Sequence, residues 1–246
     1  MTLKKILNAR DVKYQGRKFM LVERPLRDMD DSPVKTYLQE HRHVLDLENI
    51  TSRFPELSKV PKRAMMFFDI ENLGLSPNAP IFAIGITHLT EGITTSCLFA
   101  RDYSEEKVIL QYFLDMLKDH HAFFTYNGPS FDIPRIDVRA RHGNCLVYPN
   151  GSSLKEMLNS SHIDLRQEIK KSKPGLPDYK LSTIEKLLFK MAREKDISSK
   201  DVPRTYREYI EGTDGEEKMA RVISHNMRDT LTLAAILAFI CKTKRR

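Results

Sequence analysis

The stretch from Met65 to Leu75, MMFFDIENLGL, constrains this chain more than any other. Four apolar residues lead into two carboxylates two positions apart, and a glycine-containing turn follows. An apolar run of this kind, bounded by Pro61-Lys62-Arg63 on one side and a turn on the other, reads as a buried central strand. Side chains alternate faces along a strand, so Asp69 and Glu71 project to the same side. Two carboxylates on one face at the end of a buried strand repel each other and lose hydration, which a cation or a proton must offset. A hard divalent metal does so most directly. If the strand ended at the surface, solvent would serve instead, so the reading turns on what the rest of the chain supplies.

Pro80 to Ile86 and Gly92 to Phe99 read as two further strands, joined by the short Thr90-Glu91-Gly92 turn as an antiparallel hairpin. Ser104 is the expected cap of a helix with apolar positions at Val108, Ile109, Tyr112, Phe113, Met116 and Leu117. Ala122 to Tyr126 is a fourth strand, expected parallel to the first. Gly128 and Pro129 then force a turn, and a helix starts near Phe131. Asp132 is thereby expected near the end of the strand beside the first, close to Asp69 and Glu71, where ligands bind in open α/β sheets. His162-Ile163-Asp164-Leu165 reads as another strand end, with Asp164 a weaker acidic candidate. Lys170 to Pro177 reads as a basic, mobile loop, and Ser182-Thr183-Ile184-Glu185 as a capping box. A helical stretch follows with Pro203 in its first turn. The last helix is expected from about Glu216 to Cys241, and on it His225 and Asp229, four residues apart, share a face.

The net charge of +7 is unevenly spread. Ala64 to Asp164 holds seven basic and twelve acidic residues, a balance of −5, which leaves +12 for the rest. An acidic centre within basic flanks is what a metal-dependent enzyme acting on a polyanion needs, although a mixed, solvated surface gives the same count. Residues 1–27 carry eight basic residues against Asp11 and Glu23, with Gly16 between two short extended stretches. This hairpin-like arm suits phosphate contacts or a charged edge that discourages aggregation. A helix is expected over Val34 to Leu47, and residues 1–60 are read as an N-terminal extension to a domain spanning 61–246. Cys97, Cys145 and Cys241 are odd in number and unpaired in spacing, which points to neither a disulfide framework nor a zinc site. With the apolar run Leu233 to Cys241 too short for a bilayer and no apolar core after Lys4-Lys5, the expectation is a cytoplasmic protein with no membrane partner.

Asp69-Ile70-Glu71, then Asn127-Gly128-Pro129-Ser130-Phe131-Asp132-Ile133-Pro134, then His225 with Asp229 resemble the three exonuclease motifs of the DEDD superfamily of ribonuclease H-like nucleases. The second motif is similar to that of family B DNA polymerase proofreading domains, and the whole most resembles the YprB-like predicted exonuclease family, over roughly residues 64 to 242. The third motif departs from the usual pattern, which has Tyr four residues or His five residues before the last Asp; here His stands at four.

The resemblance implies an α/β, ribonuclease H-like fold with a five-stranded mixed sheet and helices on both faces. It implies a two-metal phosphodiesterase, a 3′ to 5′ exonuclease acting on DNA or RNA, with single strands or 3′ ends as partners. Asp69, Glu71, Asp132 and Asp229 would hold two Mg²⁺ or Mn²⁺ ions about 3.5 to 4 Å apart. His225 would be the general base, and Asn127 and Phe131 would position the terminal nucleotide, Phe131 being equally suited to the core. The alternatives are a catalytically inactive ribonuclease H-like module that only binds nucleic acid, and a scaffold whose basic flanks meet an acidic protein.

Overall fold

The structure is a computed structural model that describes residues 1–145, 153–158, 161–192, 197–198, 200–213 and 215–243. A short helix α1 (Leu3–Ile6) precedes a hairpin of β1 (Arg10–Tyr14) and β2 (Arg17–Pro25), then α2 (Pro33–His41) and α3 (Leu47–Arg53). The strand expected around Asp69 is β3 (Met65–Asn72), followed by β4 (Ile81–Leu89), β5 (Ile93–Phe99), α4 (Glu106–Leu117), β6 (Ala122–Thr125) and α5 (Asp132–His142). Then come α6 (Leu154–Leu158), β7 (His162–Asp164), α7 (Leu165–Ser172), α8 (Leu181–Leu188), α9 (Val202–Ile210) and α10 (Glu216–Lys242).

Among the described residues the strands form one sheet in the order β1-β2-β5-β4-β3-β6-β7. β3, β4 and β5 meander antiparallel, while β6 runs parallel to β3 and β7 parallel to β6. The five strands expected from sequence are β3 to β7. The sheet nevertheless has seven, because the N-terminal hairpin extends it: β2 pairs antiparallel with β5, from Met20 opposite Phe99 to Pro25 opposite Thr94. Phe19, Met20, Leu21 and Val22 are buried there, so β2 is an inner strand. The exposed cations of β1 guard the outer edge.

Helices cover both faces. Phe68 packs its ring edge-on against Phe113 of α4, while its neighbour Asp69 meets Asn226 of α10, so the two helices lie on opposite sides of β3. The second face is dominated by α10, whose 27 residues carry eighteen buried side chains, too many for an ordinary amphipathic stripe. Thr230 on α10 and Thr95 on β5 each hydrogen-bond Thr87 of β4 at 3.0 Å, fixing the helix register on the sheet. Buried side chains of α1, α2 and α3 belong to the same apolar cluster as the sheet and α10. No helix among the described residues is long and apolar enough to cross a membrane.

Several local expectations need correction. The helix expected over Val34 to Leu47 is Pro33–His41, capped by Ser32, followed by a 3-10 turn at Arg42–Leu45 before α3. α4 is not capped by Ser104, whose hydroxyl donates to Asp102 instead. The capping box at Ser182 does not form: α8 starts at Leu181, and Glu185 turns inward, fully buried, to accept from Thr232 Oγ1 at 2.8 Å. Lys170 and Lys171 belong to the last turn of α7 rather than to a loop.

Candidate active site

Three separate segments deliver the acidic residues. Asp69 and Glu71 stand on the α10 side of β3, both partly buried. Asp132 is the first residue of α5, 2% exposed, and its Oδ1 accepts from the backbone N–H of Ile70 at 3.3 Å. Asp229 and His225 are buried on adjacent turns of α10, with His225 Nε2 3.4 Å from Asp229 Oδ2. The four-residue spacing thus brings imidazole and carboxylate together, as one helix face requires.

Electrostatics tie the group into one field. Burial, and then the charges of Asp132, Asp229 and Glu71, hold the Asp69 carboxyl well above the usual carboxylate range, while a hydrogen bond from Asn226 opposes them. Asp132 is pushed up to about 7, chiefly by burial, against the pull of the Ile70 N–H, its own N–H and Arg135. Without a cation, such carboxylates retain protons near neutral pH.

The second motif is held by a network that sequence reading does not reveal. Asn127 adopts a left-handed conformation, φ 66°, and its N–H donates to Asp164 at 2.9 Å. Its side-chain Oδ1 accepts from Arg166 at 2.9 Å. Asp164, a weaker acidic candidate by sequence, instead caps α7 through the N–H of Arg166. Gly128 follows because a Cβ there would stand 2.1 Å from Thr125 Oγ1. Phe131 is half-buried, with the Arg135 guanidinium 3.6 Å from its ring centre.

Two arginines of α5 hold the loop that leaves β3: Arg135 donates to the Leu75 carbonyl at 2.9 Å and Arg139 to that of Asn78 at 3.1 Å. Arg139 also pairs with buried Glu106, which accepts from the N–H of Ile81 at 2.8 Å. The signal for these arginines is their i, i+4 spacing in a helix headed by Asp132. Asn226 had none beyond its place after His225.

All four candidate ligands are carboxylates, the hard oxygen donors that Mg²⁺ and Mn²⁺ take, and their mutual repulsion is the charge that a cation relieves. The donor chemistry therefore fits a divalent ion. The spacing is not preformed: among the described residues no group of three or more His, Cys, Asp or Glu side chains could hold a metal ion as placed.

Residues 66–241 match the sequence profile of the RNase H superfamily. The chain belongs to that superfamily. Among solved structures, this RNase H-like chain is similar to the family B DNA polymerase from the hyperthermophilic archaeon Pyrobaculum calidifontis. The TM-score is 0.53 at 19% identity, covering 71% of this chain but only 24% of the polymerase. A likeness at that identity bears on fold, and it agrees with the resemblance of the second motif to such polymerases. No curated protein matches. The fold of this RNase H-like chain is thus of the nuclease type, carried on a sheet two strands wider than its sequence suggests.

Proposed function

We propose that this RNase H superfamily member is a metal-dependent nuclease that hydrolyses phosphodiester bonds of DNA or RNA, working from 3′ ends. The observation that carries the reading is the convergence of three segments at Asp69: Glu71 shares its side of β3, Asp132 of α5 accepts from the N–H of the next residue, Ile70, and α10, which carries Asp229, reaches Asp69 through Asn226. Asp69, Glu71, Asp132 and Asp229 would hold two divalent ions. When bound, such ions activate a water and stabilise the departing 3′ oxygen.

The chain's own residues supply the rest. His225, beside Asp229, takes the proton of the attacking water as the new P–O bond forms, and the bond to the 3′ oxygen breaks with a proton taken up from solvent. Phe131, half-buried with Arg135 against its ring, would meet the terminal base. Asn127, already engaged by Arg166 through Oδ1, orients the same nucleotide through its remaining amide donors.

A binding module without chemistry is the rival, favoured by the lack of a preformed metal cage among the described residues. Incubation with end-labelled single-stranded DNA and RNA in Mg²⁺, Mn²⁺ or EDTA separates the two. Shortening from the 3′ end, abolished by EDTA and by Asp69→Asn, is expected. Retained binding with no cleavage in any metal would establish the rival.

A further inference from the structure

Asn226 follows His225 on α10 and is wholly buried, facing β3 and β4. Its Nδ2 donates to Asp69 Oδ2 at 3.0 Å and reaches the Asp69 carbonyl at 3.4 Å. Its Oδ1 has no hydrogen-bond partner among the described residues. Leaving a buried acceptor unpaired is unfavourable, so packing around the amide must fix it in place.

The residue opposite Asp69 across β3 and β4 is Gly85. A Cβ built there would stand 2.4 Å from Asn226 Oδ1, 2.9 Å from its Cγ and 3.0 Å from its carbonyl oxygen. Gly85 lies outside the left-handed region, so its backbone does not call for glycine. What excludes a side chain is the Asn226 amide, which occupies that space. Gly85 and Asn226 thus form a seat and its occupant, directly beside Asp69.

We propose that Asn226, seated on Gly85, is a positioning residue. It holds Asp69 Oδ2 on its amide and so fixes the rotamer that leaves Oδ1 free for a divalent ion. A carboxylate among three others would otherwise swing away from them, and a donor bound to both its backbone and its side chain removes that freedom. This inference rests on the metal-dependent reading above, but the position of Asp69 can be read without metal.

Two measurements on four proteins test it: wild type, Asn226→Ala, Gly85→Ala and the double variant. In metal-free crystal structures, Asn226→Ala should release Asp69 into more than one rotamer. Mn²⁺ titration should show affinity weakened by about 10- to 100-fold, the usual loss when a partner of a metal ligand is removed. Gly85→Ala, which touches no carboxylate, should displace Asn226 and weaken Mn²⁺ binding by a similar factor. In the double variant it should add little, because both changes break one arrangement. Asn226→Ser keeps a small polar group in the same space if Asn226→Ala fails to fold. An unmoved Asp69 and wild-type Mn²⁺ affinity, with only lower thermal stability, would overturn the proposal and make Asn226 a packing residue. If wild type itself binds no Mn²⁺, the metal reading fails, and the Asp69 rotamer in the variants still decides whether Asn226 positions it.

Discussion

The backbone N–H of Ile70 donates to Asp132 Oδ1 at 3.3 Å, pinning the first residue of α5 to the strand that carries Asp69 and Glu71. The bond joins segments 62 residues apart, and the second motif therefore reaches the first through a main-chain donor rather than through a charged partner. It also favours the ionised form of Asp132, yet burial outweighs it.

That imbalance sets a pH dependence. Asp132 is held at about 7 in the folded protein, against an ordinary value of 3.8. Below the ordinary value it is protonated in both states. Between that value and about 7 it is protonated only when folded, so the folded state binds more protons and stability falls as pH rises. The upward shift of Asp69 acts in the same direction. In EDTA, the melting temperature should therefore fall between pH 5 and pH 8, and Asp132→Asn should flatten the decline. Calorimetry across that range checks it; a melting temperature that climbs with pH would contradict the buried, mutually repelling arrangement.

A second prediction concerns the support of α5. Arg139 and Glu106 pair with side chains only 13% and 10% exposed, and Glu106 also accepts from Ile81. Breaking a buried pair from one side strands the other charge, so Arg139→Met should destabilise the fold by about 3 to 5 kcal/mol. Arg139→Lys should recover only part, since an ammonium cannot make the two-pronged contact. Urea unfolding measures both. A loss below ~1 kcal/mol for the methionine variant would mean that the pair behaves like a solvated surface bridge.

The parts legible in the sequence are those with a local pattern. β3, β4 and β6 announce themselves by apolar runs because strands buried on both faces have no polar alternation to blur them, while β5, with Thr94, Thr95 and Ser96 inside it, is marked by the short turn that joins it to β4. The shared side of Asp69 and Glu71 follows from the strand period, and that of His225 and Asp229 from the helix period. Partner choice has no such pattern. The charged residues of the N-terminal hairpin lie on both of its strands, and nothing local says that Phe19 to Val22 between them will meet β5. A helix cap fails where another partner claims the side chain: Asp102, two residues away, takes the Ser104 hydroxyl, and Thr232 of α10 takes Glu185. Asn226 and Gly85 are 141 positions apart in sequence, and only the folded sheet shows why each needs the other.

The arm formed by residues 1–27 illustrates the consequence. Deleting it would remove β2, bare the hydrogen-bonding edge of β5 and strip the cover from an apolar surface that Phe19, Met20, Leu21 and Val22 fill. Each such side chain is worth about 1.5 to 3 kcal/mol when buried, and four together rival the ~5 to 15 kcal/mol stability of a whole domain. Residues 28–246 alone should aggregate or lose cooperative melting. Phosphate contact by the arm is better tested with Lys13, Arg17 and Lys18, which are exposed. Changing all three to Ala should leave the melting temperature within a few degrees, weaken nucleic-acid binding and flatten its salt dependence. Equal affinity and salt slope would assign the hairpin to structure alone.

The last prediction concerns His225, which stands one residue nearer to the final Asp than the His of the motif it resembles. The helix places its Nε2 3.4 Å from Asp229 Oδ2, so the closer spacing still aligns the two groups. As general base, His225 should be worth about 10² to 10⁴-fold in turnover, the usual contribution of positioned proton transfer. His225→Ala should lose that much while keeping Mn²⁺ affinity, because the four carboxylates remain. Its residual rate should vary less between pH 6 and 8 than that of wild type, since an imidazole ordinarily titrates in that range. Single-turnover cleavage isolates the chemical step from product release. A variant with near-wild-type rate and an unchanged pH profile would remove His225 from the chemistry. Its buried contact with Asp229 would then serve to hold that carboxylate, and the loss would be seen in Mn²⁺ affinity rather than in rate.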